Sequence, residues 1–193
     1  MDESKFQKLL TERGVVIVHF SHFAVMGHYV EFPDDLEHAI AFYQSETRSC
    51  CAFWPRHNMN LPGSVGVIFR PRFEQVLSVR ADDSGSSDFG GAENSGGHAP
   101  SEQTILESLN VTAGRYNEWR VRGAEPVGIF VANTNDIYAK RKTQLSHNGE
   151  TFEEIGYTNI AISSVFEAFP EMPIFTMRAG ELFCIRDNAA KIY

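Results

Sequence analysis

The chain is poor in the features that most quickly betray a function. It has three cysteines, an adjacent pair (Cys50, Cys51) and a distant one (Cys184). That set supplies neither a disulfide framework nor a zinc spacing, and the pair reads as buried wall. Positive charge is also short: 17 Lys and Arg stand against 25 Asp and Glu, a net charge of −8. A field of that sign argues against broad electrostatic binding to nucleic acid or anionic membrane, while leaving room for a locally basic cleft. No apolar run approaches membrane-spanning length and no leader-like segment precedes the first elements, so a soluble, cytoplasmic protein is expected. Internal repeats are absent. So are a phosphate-loop glycine–lysine signature, a dinucleotide-binding GxGxxG after a strand, and a GxSxG nucleophile turn.

What is present describes a globular chain. With 193 residues, 42% of them hydrophobic, it is long enough for a substantial core, and one domain over 1–193 is expected. In DESKFQKLLTER (2–13), Phe6, Leu9 and Leu10 share a helical face, and Gly14 stops the helix. GVVIVHFS (14–21) is an unbroken β-branched run, expected as a strand buried on both faces. His19 and Ser21 at its C-terminal end alternate with Phe20 and so share a side; His22 and His28 follow. FPDD (32–35) opens a second helix to about residue 45, with Asp34 as N-cap and Glu37 completing a capping box.

Residues 48–63 are dense in aromatic, sulfur and basic side chains, with prolines that break any long element. Residues 64–71 and 73–80 read as consecutive strands. The stretch 81–103, rich in Gly and Ser and without Lys or Arg, reads as a flexible loop, either a lid or plain disorder. Ser101–Leu109 reads as a short helix. After 133, turn residues lead into Lys140, Arg141 and Lys142, a run that usually marks a solvated helix face. NIAIS (159–163) reads as a strand, 164–169 as one or two helical turns, and 174–177 with 182–186 as a hairpin about RAGE. Together these give an α+β fold, a mostly antiparallel sheet with flanking helices.

The stretch most suggestive of chemistry is TAGRYNEWRVRGAEPVGIFV (112–131). It holds two short β runs, Trp119–Val121 and Val127–Val131, joined by a turn-rich connector. Glu118 sits at the mouth of the first run, beside Tyr116, Asn117 and Trp119, where a rigid strand can aim a carboxylate into a cleft. The plainer reading is an edge strand whose outer face carries Glu118 and Arg120. His19, His22 and His28 make a poor metal site, because a strand splays HxxH and no further ligand completes the set. A nucleophilic Cys50 or Cys51 with a distant His lacks anything in the sequence to lower a thiol pKa.

Taken together, HFSH (19–22) at one strand end and YNEWRV (116–121) at the start of another resemble the ADP-ribosyltransferase superfamily, nearest to the DNA-modifying toxins of the DarT type. The resemblance covers residues 14–131 and rests on these short motifs. It implies an ADP-ribosyltransferase-like fold, NAD as substrate and Glu118 as the catalytic carboxylate. His19 and Ser21 would hydrogen-bond ribose and the nicotinamide amide, while Phe53, Trp54 or Tyr116 would stack the nicotinamide. Arg48 or Arg56 would pair with the pyrophosphate. It further implies a macromolecular acceptor, nucleic acid or protein, and an antitoxin or immunity protein as partner. The chemistry suits these residues, since breaking the nicotinamide–ribose bond builds positive charge that a carboxylate stabilises. The same residues would serve an NAD glycohydrolase with water as acceptor. The alternative from another class is a non-enzymatic binding or inhibitor protein using its acidic surface. Whether His19, Ser21 and Glu118 converge in one cleft separates the two.

Overall fold

The computed structural model describes residues 1–22, 35–57, 60–81, 97–111 and 115–186. Helix α1 (Glu3–Arg13) is capped by Asp2, which accepts from the Lys5 N–H at 2.8 Å. Gly14 ends it in the left-handed region at φ 63°, donating to the Leu10 and Thr11 carbonyls. The apolar run then forms β1 (Val16–Ser21), buried throughout except for half-buried Phe20. Helix α2 (Leu36–Ala41) is shorter than expected. Asp35 stands at its N-cap without a side-chain capping bond. The expected cap Asp34, like His28 and the central part of the 81–103 loop, lies outside the described residues.

Strand β2 (Thr47–Phe53) runs through the segment whose prolines were expected to break it. Pro55 and Pro62 come after its last residue, so they terminate the strand instead of interrupting it. Next come β3 (Val65–Arg70), a 3-10 turn at Phe73–Gln75, β4 (Val76–Arg80) and α3 (Glu102–Ser108), the last with the Ser101 side chain as its cap. Strands β5 (Glu118–Arg122) and β6 (Glu125–Val131) follow, then β7 (Ile137–His147) and β8 (Glu150–Ile160), helix α4 (Ile162–Ala168), β9 (Ile174–Arg178) and β10 (Glu181–Arg186).

Eight strands form one sheet in the order β10-β9-β6-β3-β1-β2-β5-β4, antiparallel except for the β6–β9 pair. The fold is α+β with a mostly antiparallel sheet, as the sequence suggested, although β3 and β4 lie four places apart in it and are not neighbours. Phe6, Leu10, Leu36, Ala39, Ile105 and Val165 from the four helices share one core with Ile17, Ala52, Trp119 and Val121 of the sheet. Strand alternation sends Val16, Val18, Cys51 and Phe53 to the other face, into a smaller core with Ile68, Phe130 and Phe175. Among the described residues, no helix is long and apolar enough to cross a membrane.

The basic run is the clearest departure from expectation. Lys140–Lys142 belong not to a helix but to β7, which pairs with β8 in a separate two-stranded hairpin. Asn148 and Gly149 close it with φ of 53° and 83°, the two left-handed residues that a tight hairpin turn needs. The strand expected over 159–163 is the end of β8, and Ala161 already caps α4. Lys140 is not solvated either. It is 6% exposed, and its Nζ lies 2.8 Å from Oδ1 of the fully buried Asp35, fastening the hairpin base to the start of α2. Lys140→Met leaves that carboxylate buried without its cation and is expected to cost about 3–5 kcal/mol. Adding Asp35→Leu should recover most of the loss in urea melts. Additive destabilisation in the double variant would show that the pair is not coupled.

Candidate active site

Strands β1 and β2 pair only where Val16, Ile17 and Val18 face Phe53, Ala52 and Cys51. Past that point β1 is held by β3 alone, through His19, Phe20 and Ser21, while Thr47–Cys50 of β2 are held by β5 alone. The ladder is therefore broken in the middle of the sheet. Gly66 lets β3 follow β1 closely here: a Cβ at that position would lie 2.4 Å from Val18 Cγ1 and 2.6 Å from the His19 carbonyl oxygen.

A cleft of about 140 Å³ occupies the break, lined by His19, Phe20, Ser49, Tyr116, Asn117 and Glu118, with Cys50 and Cys51 completing the wall. Ser49 joins its two sides. The His19 Nδ1 lies 2.8 Å from the Ser49 carbonyl oxygen, and the Ser49 hydroxyl donates to Glu118 Oε1 at 2.8 Å. A carbonyl only accepts, so Nδ1 carries the proton and a neutral His19 keeps its lone pair on Nε2.

Glu118 is placed by its neighbours. The Asn117 amide is buried and bonds both backbone groups of Ala52, accepting from its N–H and donating to its carbonyl, each at 2.8 Å. It also donates to the Ser108 carbonyl at 2.9 Å. The Trp119 indole N–H reaches the Ser108 hydroxyl at 2.9 Å, and that hydroxyl donates to the Ile105 carbonyl at 2.8 Å. Residues 117 and 119 are thus both locked to the end of α3, and Glu118, between them, points to the opposite side of the strand.

The structure brings His19, Tyr116 and Glu118 together; the other candidate residues lie elsewhere. Ser21 is buried, does not line the cleft, and its Oγ finds no hydrogen-bond partner among the described residues. Arg48 lies on the helix-covered face, paired with Glu46 at 2.8 Å and donating to the His38 carbonyl. Arg56 is exposed and bound to Glu181 beside the β9–β10 turn. Trp54 packs against His57, ring centroids 3.8 Å apart, and Phe53 sits in the smaller core. Two groups escaped the sequence reading. Ser49 lay unremarked in a segment taken as irregular, and Arg80 is the register partner of Glu118 itself. Arg120, opposite Ser49, shares the face of Glu118, as the two-residue alternation of β5 indicated.

Electrostatics narrows the chemistry. Burial, with the neighbouring Cys51 adding to it, pushes the Cys50 thiol well above its ordinary 9.0, so it stays protonated and poorly nucleophilic near neutrality. For Glu46, burial pushes the carboxyl up, but hydrogen bonds and charge from His38 and Arg48 outweigh it and hold the group below 4.5. No protein-family model matches the chain, and neither the curated proteins nor the solved structures contain a significant match to it.

Asn117→Ala strands three buried backbone groups and is expected to cost about 3 kcal/mol, seen as a melting point lower by roughly 6–12 °C. An unchanged melting point would mean that the amide does not hold β5. Glu46, depressed in the folded state, contributes stability that is present above pH 4.5 and lost as pH falls below it. Because Glu46 is 40% exposed, Glu46→Gln should cost under about 1 kcal/mol at pH 7. That deficit should vanish in urea midpoints taken well below pH 4.5, and a pH-independent deficit would contradict the assignment.

Proposed function

We propose that this chain is an NAD-dependent ADP-ribosyltransferase that modifies a macromolecule, nucleic acid or protein, with Glu118 as its catalytic carboxylate. The observation that carries the reading is the linkage of His19, Ser49 and Glu118 across one break in the sheet. On this reading the broken antiparallel sheet is an ADP-ribosyltransferase-like fold. The cleft, about 140 Å³, is smaller than the ~300–1,000 Å³ of pockets that enclose a whole drug-sized ligand. It suits a ring and the edge of its sugar, with the remainder of the dinucleotide lying over the outer face.

Each residue then has a definite task. Glu118 holds ribose hydroxyls and offsets the positive charge that develops as the nicotinamide bond breaks, or takes the proton of the acceptor. Ser49 fixes Oε1, leaving the second oxygen for the ligand. His19 offers a hydrogen-bond acceptor at Nε2, and Tyr116 supplies an aromatic wall. Arg120 and Arg80 lie beside Glu118 in the ladder, where they would meet phosphate charge, whereas Arg48 and Arg56 do not line the cleft. Water in place of the acceptor would make the same site an NAD glycohydrolase. Free cysteines fit a reducing compartment such as the cytoplasm.

Nicotinamide release should be measured for the wild type and Glu118→Gln, alone and with DNA, RNA or cell extract. The variant is expected to lose at least about a hundredfold in rate while keeping its melting point. Stimulation by one added polymer would identify the acceptor class, and release without any polymer would favour hydrolysis. No release under any condition, together with no thermal shift on adding NAD, would overturn the proposal in favour of a non-enzymatic binding protein.

A further inference from the structure

Strand β1 borders a second break in pairing, at its end away from the cleft. β3 stays paired with it from Ser21 opposite Val65 to Ile17 opposite Phe69, and no further. Continuing that register would set Val15 against Pro71, which has no N–H to give. The Val15 N–H donates instead to the Leu10 carbonyl at 2.9 Å, and the Pro71 carbonyl accepts from the Gln7 side-chain amide at 3.0 Å. Helix α1 thus takes up groups that a longer ladder would have paired.

A pocket of about 180 Å³ occupies this break, and it shares no lining residue with the cleft. Leu10, Val15, Ile17, Ile68 and Phe69, each at most 6% exposed, give it an apolar lining. The polar side chains that reach it are half-buried Gln7 and the exposed Thr11 and Arg70. The space exceeds the ~150 Å³ of an apolar cavity that takes up benzene. Left open, such a lining forgoes the packing that one ring-sized group would supply.

Charge at the mouth indicates the other end of the ligand. A recess of about 310 Å³ adjoins the pocket, sharing Gln7, Arg70 and Pro71, and adds Arg72 and Glu125. Its charged lining is therefore two guanidinium groups and one carboxylate. Arg70 is common to both spaces, and Glu125 holds it only loosely. Its Nη2 lies 3.6 Å from Glu125 Oε2, beyond hydrogen-bond range, with both side chains exposed. Arg72 sits 3.0 Å from Glu74, another exposed pair, which contributes little. The Arg70 fork suits a carboxylate, while Glu125 beside it disfavours a dianion such as a phosphate monoester. We propose that this break is a second ligand site, for a small monocarboxylate. Its apolar body, of one ring's size, fills the pocket between α1, β1 and β3, and its head group meets Arg70.

Phenylacetate is a suitable probe, beside its neutral isostere phenylacetamide and acetate, which carries the head group alone. Titrated into the full-length protein, phenylacetate should bind saturably and shift the methyl NMR signals of Leu10, Val15, Ile17 and Ile68. Phenylacetamide should bind at least about tenfold more weakly, and acetate should not saturate. Arg70→Gln should weaken phenylacetate at least about tenfold and leave phenylacetamide unchanged, the amide reporting an intact pocket. In the wild type, added salt should weaken the acid and spare the amide, so the charge assignment does not rest on the variant's folding. Equal affinity for acid and amide, acetate binding as tightly as phenylacetate, or shifts confined to other parts of the chain would overturn the proposal. So would a failure of phenylacetate to saturate by about 10 mM.

Discussion

The candidate site depends on one side chain acting as backbone. Asn117 presents to Ala52 the acceptor and donor that a facing peptide unit would present, and Ala52 answers with its own N–H and carbonyl. The β2–β5 ladder is thereby continued past Cys50 and Trp119 by an amide carried on a side chain. A main-chain pair would hold the two strands at ordinary ladder spacing there. Bonding through a side chain sets the main chain at 117 further back and leaves room beside Glu118. Burial makes the arrangement stringent, since each group left unpaired would cost of order 1–3 kcal/mol.

From that lock the rest of the cleft follows. Ser108 ties Asn117 and Trp119 to α3, so the helix-side core fixes the start of β5 from below. On the other side of the break, Gly66 fixes β1 by close approach, and His19 reaches across to the Ser49 carbonyl. Two rigid strands therefore meet at one serine, whose carbonyl serves one side and whose hydroxyl serves the other. His19 and Glu118 lie on strand faces that nominally look in opposite directions. They share a cleft only because the ladder between β1 and β2 stops at Val18 and Cys51. A continuous sheet would separate them.

Local pattern made some of this legible and long-range pairing hid the rest. The helix ending at Gly14, the buried run of β1, the 101–109 helix and the terminal hairpin each announce themselves within a few residues. The β7–β8 hairpin announced itself too, through Asn148-Gly149, but three consecutive cations drew the reading towards a helix face. Lys140 defied that reading because its partner, Asp35, is 105 positions away, and no periodicity encodes such a pair. For the same reason Glu118 and His19 could be named from short motifs, whereas Ser49, which joins them, could not. Its role arises from a break in pairing between two strands, not from any local sequence feature.

The distribution of cations bears on how an anionic substrate would be met. With a net charge of −8 the molecule repels a dinucleotide at long range, yet at 0.1 M salt charges beyond about 10 Å are largely screened. Recognition then depends on the nearest groups. Lys140, Arg48, Arg56 and Lys5 do not line the cleft and sit beside Asp35, Glu46, Glu181 and Glu102 in turn. Arg80 and Arg120 flank Glu118 through the ladder, half-buried at a sheet margin where a phosphate contact is less screened than at an open surface. On the proposed reading, an acidic chain would present a basic margin beside the carboxylate that acts on its anionic substrate. The sign of the whole molecule is a poor guide to the sign of its site.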